Sequence, residues 1–427
     1  MQTTTDSVEA QLRSLLGAAE QAEMQGRKDE ALRLLGAARS LSPEHPAVLA
    51  ACGVHALRKG DAAEARHLLQ RSIDGDASNP VTFLNLASSL RTLDDIDGEV
   101  RALDQALALE AHFFPALIQK ASLLESQGAT QRAARLYERA LNAIGPGASL
   151  PSSWKPLVER AQRAVFKSLQ ELDEWLGTRM QEVRRQHATA AQDRVDDCLG
   201  AILRKNRIYV QQPTYSHFPR LPAVQFYPRE EFPWLPAVEQ ATDDIRQELM
   251  GLLADSREQF SPYLQHSASD PLNQWRELNQ SKRWSSLFLY KDGERNDAIA
   301  ARCPKTLAAL EAAPVIRIPH RGPTSFFSLL EPHTRIPPHT GTTNIRLTVH
   351  IPLIVPPDCG FRVGTQSREW HPGTALIFDD TIEHEAWNDS DAERVILIFD
   401  IWNPLLTPAE RDLMTAATAA IAEFYAD

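Results

Sequence analysis

At 427 residues the chain exceeds one ordinary hydrophobic core, so two or three domains are expected. Charged residues make up 24% and apolar residues 43%, the balance of a folded globular protein rather than a disordered one. A formal net charge of -11 argues against a nucleic-acid partner, which needs a basic footprint, and no run of about 18 apolar residues is available to span a membrane.

Cys52, Cys198, Cys303 and Cys359 are far apart and form no CxxC pair. This argues against a zinc ribbon or disulfide framework and for reduced, mostly buried thiols. The opening MQTTTDSVEAQLRSLL has no basic segment followed by an apolar run. No signal peptide is read, and the cytoplasm is the expected location.

The first third repeats. Gly26, Gly60 and Gly128 sit in the similar strings QGRKDEA, KGDAAEA and QGATQRA. A period of 34 runs from Gly26 through Gly60 and Asp94 to Gly128. Small residues follow at Ala31, Ala65 and Ala133, and again at Ala38, Ala106 and Ala140, while Pro43, Pro46 and Pro80 fall near unit ends. Period and pattern resemble tetratricopeptide repeats over roughly residues 8–147, about four units of two antiparallel helices each. Asp94 and Glu99 stand where small residues are expected. Such an array implies a concave groove that recruits a peptide or partner protein; bracing the next domain or building a dimer is the plainer alternative.

From Ser153 to about Lys205 apolar residues keep helical spacing, with Ser152 or Ser153 available as a cap. This predicts a capping or bridging helical region over 151–207, between a repeat domain at 1–150 and a second functional domain at 208–427. Six prolines between Pro213 and Pro236, interleaved with Tyr215, Phe218, Phe226, Tyr227, Phe232 and Trp234, predict an extended segment wrapping that domain. A helix over Ala241–Asp255, a strand over Trp284–Lys291 and a short helix over Cys303–Ala313 follow.

Six of the 13 histidines fall between residues 320 and 384, where the period changes to that of strands. In NIRLTVHIPLIV, Ile345, Leu347, Val349, Ile351 and Leu353 alternate with Arg346, Thr348 and His350. ALIFDD (375–380) and RVILIFDIW (394–402) are further strands, and the turns between them suggest a barrel or jelly roll. His339 and His384 each lie where a strand meets a loop. Arg394 opens an apolar strand, and an arginine entering a barrel interior calls for an anion. Two imidazoles and an inward arginine form the group set of a non-haem iron oxygenase. A histidine is more commonly a hydrogen-bonded surface or core residue, and spacing alone leaves both readings open.

The strings SFFSLLEPHTRIPPHTGTTNIRLTVHIPL, LIFDDTIEHEAWND and ERVILIFDIWNPLLTPAER carry a resemblance. In order and spacing, this region resembles the aspartyl/asparaginyl beta-hydroxylase family of 2-oxoglutarate oxygenases, more weakly upstream through YPREEFPWL. The resemblance implies a double-stranded β-helix, a jelly roll of cupin type with flanking helices, behind the all-α repeat domain. It implies that His339 and His384 bind Fe(II). Ser328 and Arg394 would bind the distal carboxylate of 2-oxoglutarate, with His350 near its proximal carboxylate and Arg346 on the same strand face. The carboxylate that usually completes such a metal triad would stand two residues after the first histidine, where this chain has Gly341. The family's peptide-acting members share that absence, whereas lipid-acting relatives are expected to carry an acid. Asp380 is the candidate to hold a water beside the metal, against a plain turn-capping role. Thr348 replaces a family arginine.

The function implied is an Fe(II)- and 2-oxoglutarate-dependent dioxygenase. It would consume molecular oxygen and hydroxylate the beta-carbon of Asp or Asn in a peptide or protein held by the repeats. The alternatives are hydroxylation of a free or carrier-bound amino acid or other small molecule, zinc in a cupin-like site, and a scaffold protein whose barrel has lost catalysis.

Overall fold

The computed structural model describes residues 2–145, 147, 149–188, 192–267 and 271–425. The chain divides into two compact units, Met1–Ala191 and Gln192–Asp427. Among the described residues no helix is long and apolar enough to cross a membrane.

The first unit is an array of helical hairpins: α1 Gln2–Met24 with α2 Lys28–Leu41, α3 Pro46–Lys59 with α4 Ala62–Gly75, α5 Pro80–Thr92 with α6 Ile96–Leu109, and α7 Phe114–Ser126 with α8 Thr130–Ala143. Proline occupies the first turn of α3, α5 and α7, where its missing N–H costs nothing. Asp61 and Asp95 cap α4 and α6 by accepting the backbone N–H of Glu64 (3.0 Å) and Gly98 (2.9 Å).

The turn inside each hairpin needs a left-handed residue. Gly26, Gly60 and Gly128 have φ of 73°, 85° and 77°, and Asp94 takes the same turn at 57°. Asp94 therefore keeps the period, because a short polar side chain tolerates that conformation. The repeated alanines are buried to 1% exposure or less, which lets the helices approach closely. Glu99, the other departure, is buried at 1% exposure and satisfied by Gln119 Nε2 at 2.8 Å.

A 3₁₀ turn at Ser152–Trp154 leads into α9, one helix over Lys155–Gln186 that packs on α8. No serine side chain caps it; Trp154 stands at the N-cap and stacks on Phe114 at a centroid distance of 4.3 Å.

The second unit begins with α10 Asp193–Ile202. The proline-rich segment then runs extended along the sheet, with Tyr227 N–H donating to Ile377 O at 2.9 Å, before α11 Leu235–Gln240 and α12 Thr242–Asp255. Strands β1 Ser261–Pro262, β2 Trp284–Lys291 and β3 Glu294–Arg295 precede the short helices α13 Asp297–Ala300 and α14 Pro304–Glu311. Then come β4 Ser325–Leu330, β5 Thr334–His339, β6 Arg346–Ile354, β7 Cys359–Val363, β8 Gln366–Arg368, β9 Leu376–Phe378, β10 His384–Asn388, β11 Arg394–Trp402 and α15 Pro408–Phe424.

They form two antiparallel sheets with the crossovers of a jelly roll. The major sheet runs β1-β2-β4-β11-β6-β9, with β3 beside β2, and the minor sheet runs β5-β10-β7-β8. The alternation read in β6 is realised. Leu347, Val349 and Ile351 are wholly buried in a core shared with Ile245, Leu249 and Leu252 of α12, each worth roughly 1.5–3 kcal/mol on burial. Arg346, Thr348 and His350 face the other way, into the space between the sheets. Of the four cysteines, Cys303 and Cys359 are buried, Cys52 is half-buried and Cys198 is exposed.

Candidate active site

Strand periodicity decides what enters the space between the sheets. The inward positions of β11 are Arg394, Ile396, Ile398 and Asp400; those of β6 are Arg346, Thr348 and His350; β4 supplies Phe326 and Ser328. From the minor sheet come Ile336 and His339 of β5, Phe361 of β7, and His384 and Ala386 of β10. Together they enclose a cavity of about 270 Å³.

β5 and β10 pair so that His339 and His384 stand directly opposite each other. Their ring centroids are 4.0 Å apart. Pro337 and Pro338 lie within β5, which the sheet tolerates because β5 is an edge strand. His339 Nδ1 lies 2.8 Å from Pro337 O, and His384 Nδ1 lies 3.0 Å from Ile382 O. A carbonyl oxygen can only accept, so each Nδ1 carries its proton and each neutral ring keeps its Nε2 lone pair for a ligand. Burial holds His339 below the ordinary histidine value and His384 well below it, with the neighbouring ring adding to the shift of His384. Among the described residues no three His, Cys, Asp or Glu side chains converge as a ready metal cage.

Arg394 is 1% exposed, and no carboxylate pairs with it among the described residues. Its Nη2 reaches Ser328 Oγ at 3.4 Å, its guanidinium lies 4.8 Å from the Trp370 ring, and its Nε has no partner. Burial pulls its pKa down to about 10. Ser328 also accepts from Trp284 Nε1 at 3.2 Å. His350 is buried with an unpartnered Nδ1, and burial followed by the nearby Arg394 charge holds it well below 6.5. This end of the cavity can receive a small anion, which would offset the cost of an isolated buried cation with a free donor.

Arg346 faces a different set of groups. Its guanidinium hydrogen-bonds Asp400 Oδ2 and lies 3.5 Å from Asp380 Oδ2. Four residues of β6, about 13 Å, separate its backbone from that of His350, the imidazole that feels the Arg394 charge. Arg346, expected from the resemblance among the cosubstrate ligands, lies in the same cavity with its guanidinium turned to Asp400 and Asp380.

Asp380 is buried, with Oδ1 unpartnered and its pKa pushed up to about 7 by burial. Turn capping falls instead to Asp379, whose Oδ1 accepts from Thr381 N (2.9 Å) and Thr381 Oγ1 (2.6 Å). A Cβ on Gly341 would lie 2.1 Å from the Asp380 carboxyl. The Asp380 carboxylate thus occupies the place a side chain at 341 would need. Gly341→Ala is expected to cost about 1–3 kcal/mol in thermal unfolding, and much less in an Asp380→Ala background. Equal costs in the two backgrounds would mean that the two residues do not compete for space.

The buried imidazoles also set a pH dependence. Unfolded, His350 titrates near 6.5; folded, it stays neutral to lower pH. In that window the unfolded chain binds more protons, so this contribution is full above about pH 6.5 and lost on acidification, at about 1.4 kcal/mol per pH unit. Asp380, with its raised pKa, works in the opposite direction. The histidine share is therefore read by difference: His350→Gln is expected to lose less stability than the parent as melts are taken to lower pH.

Several cavity residues carried no sequence signal. Tyr263 and Trp275 lie far upstream, yet stack with Trp284 at centroid distances of 4.2 and 6.2 Å, and Trp275 meets His339 at 5.1 Å. Asp400 was legible in principle, since it is six residues from Arg394 and so shares its strand face.

Fold and cavity together define the second unit as a jelly-roll domain with a buried polar cavity between its sheets. Residues 239–404 match the family model described as aspartyl/asparaginyl beta-hydroxylase, and residues 22–87 match that of a tetratricopeptide repeat. Over these stretches the chain is similar to the aspartyl/asparaginyl beta-hydroxylase family and, ahead of it, to tetratricopeptide repeats. It is 39% identical over 140 residues to the Homo sapiens aspartyl/asparaginyl beta-hydroxylase, covering 33% of this chain and 18% of that protein. It is 36% identical over 186 residues to the ornithine lipid ester-linked acyl 2-hydroxylase of Rhizobium tropici, covering 43% of this chain and 62% of the relative. To aspartate beta-hydroxylase domain-containing protein 2 of Xenopus tropicalis it is 28% identical over 219 residues, covering 50% and 56%. The chain spans less than two thirds of the length of each of these relatives.

Proposed function

We propose that the chain is an Fe(II)- and 2-oxoglutarate-dependent hydroxylase that modifies the beta-carbon of an Asp or Asn residue in a peptide or protein presented by its repeats. The observation that carries this reading is the buried, carboxylate-free Arg394 at one end of a cavity into which His339 and His384 both turn.

The residues fit the implied groups. Two opposed neutral imidazoles with Nε2 lone pairs suit a ferrous ion. Arg394 and Ser328 would receive the distal carboxylate of 2-oxoglutarate, which supplies the anion that the guanidinium lacks. His350 would stand toward the other carboxylate, and Asp380 would hold a water through its free oxygen. Ferrous iron with 2-oxoglutarate supplies an oxidant drawn from molecular oxygen, releasing succinate and carbon dioxide. The protein's own part is to orient the substrate, keep the site dry through Trp284, Phe361, Trp370 and Phe378, and hold both imidazoles neutral with Nε2 free.

The test is succinate formation by anaerobically purified protein given Fe(II) and 2-oxoglutarate, followed by a search for peptides that gain one oxygen atom. Zinc as the only metal retained, with no succinate formed, would favour a cupin-like site or a scaffold. The similarity to an acyl 2-hydroxylase keeps a small-molecule substrate as the second reading. Turnover of free amino acids by the full chain, with none on peptides, would favour it.

A further inference from the structure

Resting on the hydroxylase reading, we infer that the substrate group lodged at the Arg346 end of the cavity is a nitrogen donor, an amide or a cation, and not a carboxylate. A carboxylate needs an uncompensated positive charge. Arg346 is the guanidinium there, and Asp400 alone cancels its charge through a direct hydrogen-bonded pair. Asp380 approaches the same guanidinium at 3.5 Å, and Thr342 Oγ1 takes a further donor at 3.2 Å. With or without a charge on Asp380, this arm offers no net positive charge.

The other inward side chains agree. Thr348, between Arg346 and His350 on β6, is neutral, and its hydroxyl lies 3.4 Å from Asp400 Oδ1. The wall is aromatic, with Tyr263 stacked on Trp284 and on Phe326 at 4.2 and 5.4 Å. Ring faces and carboxylate oxygens receive N–H donors and cations; they repel an acid. The Arg394 end, by contrast, holds a guanidinium without a counter-ion. The two ends thus sort ligands by charge: the acid goes to Arg394 and the nitrogen group to the arm lined by Asp400.

The experiment uses the full chain and three peptides identical except for a central Asp, Asn or Lys, with affinities measured by calorimetry. The Asn and Lys peptides are expected to bind at least about tenfold more tightly than the Asp peptide. Asp400→Asn, which frees Arg346, is expected to raise affinity for the Asp peptide and lower it for the Lys peptide. Thr348→Arg, which adds a cation to the same face, should move the ranking the same way. Equal affinities, no binding by any peptide, or an Asp preference in the native chain would overturn the inference. So would an unchanged ranking in a folded Asp400→Asn variant. Titration of 2-oxoglutarate into the same preparation reports separately on the Arg394 end. Failure there sinks the hydroxylase reading, whereas a wrong peptide ranking with 2-oxoglutarate bound sinks only the charge assignment.

Discussion

His384→Ala is expected to abolish turnover while leaving both units folded. The ring sits at the first residue of β10, opposite His339, and packs against Phe361 and Phe378 at centroid distances of 6.2 and 5.4 Å. Removing an outer partner of a metal-binding histidine typically costs about 10–100-fold, so loss of an imidazole proposed to hold the metal itself should exceed that. The stability effect should be small. The ring lines an open cavity, and its main hydrogen bond goes to Ile382 O in its own chain segment, so truncation enlarges an existing void rather than opening a new one. The readouts are succinate release, metal content and the melting curve. A variant that retains metal and oxidises substrate at the parental rate would remove His384 from its assigned role.

Changes at Arg394 should move function and stability in opposite directions. Arg394→Ala is expected to raise the 2-oxoglutarate requirement more than tenfold, in keeping with the roughly 2–5 kcal/mol lost when one partner of a desolvated charge pair is truncated. Arg394→Met keeps most of the volume and removes a buried charge that has no counter-ion. Replacing buried ions with packed apolar groups is often neutral or stabilising by about 1–4 kcal/mol, so the Met variant without cosubstrate should melt at or above the parent temperature. Saturating 2-oxoglutarate should raise the parent's melting temperature and leave the variant's unchanged. A Met variant that is both less stable and unaltered in 2-oxoglutarate dependence would show Arg394 to be structural.

Much of this was legible because periodicity is a local property. The spacing of 34 located the repeat turns, including the one at Asp94, whose side chain made it look like a break. The two-residue alternation in β6 by itself separates Leu347, Val349 and Ile351 from Arg346, Thr348 and His350. The limits were equally physical. β5 reads as a loop because of Pro337 and Pro338, and only its edge position makes it a strand. β10 is five residues long and carries two charged or polar groups among its first two positions, too short for a period to show. The Arg346–Asp400 pair joins residues 54 apart, and no single-strand pattern reveals that the two strands are neighbours. The competition between Gly341 and Asp380 for one volume is likewise a tertiary fact. The four-residue spacing of Asp380 from His384 places it near the cavity, but does not show that its carboxylate fills the space a side chain at 341 would need.

β11 lies between β4 and β6 at the centre of the major sheet, although it follows both in the chain. During synthesis those two strands leave the ribosome long before the segment that must join them. Until residues 394–402 emerge, each presents an unpaired ladder edge with apolar side chains, a template for pairing with a neighbouring nascent chain. A premature stop upstream of Arg394 would therefore do more than remove the proposed cosubstrate contact. It would leave a half-built sheet prone to aggregation and a task for chaperones.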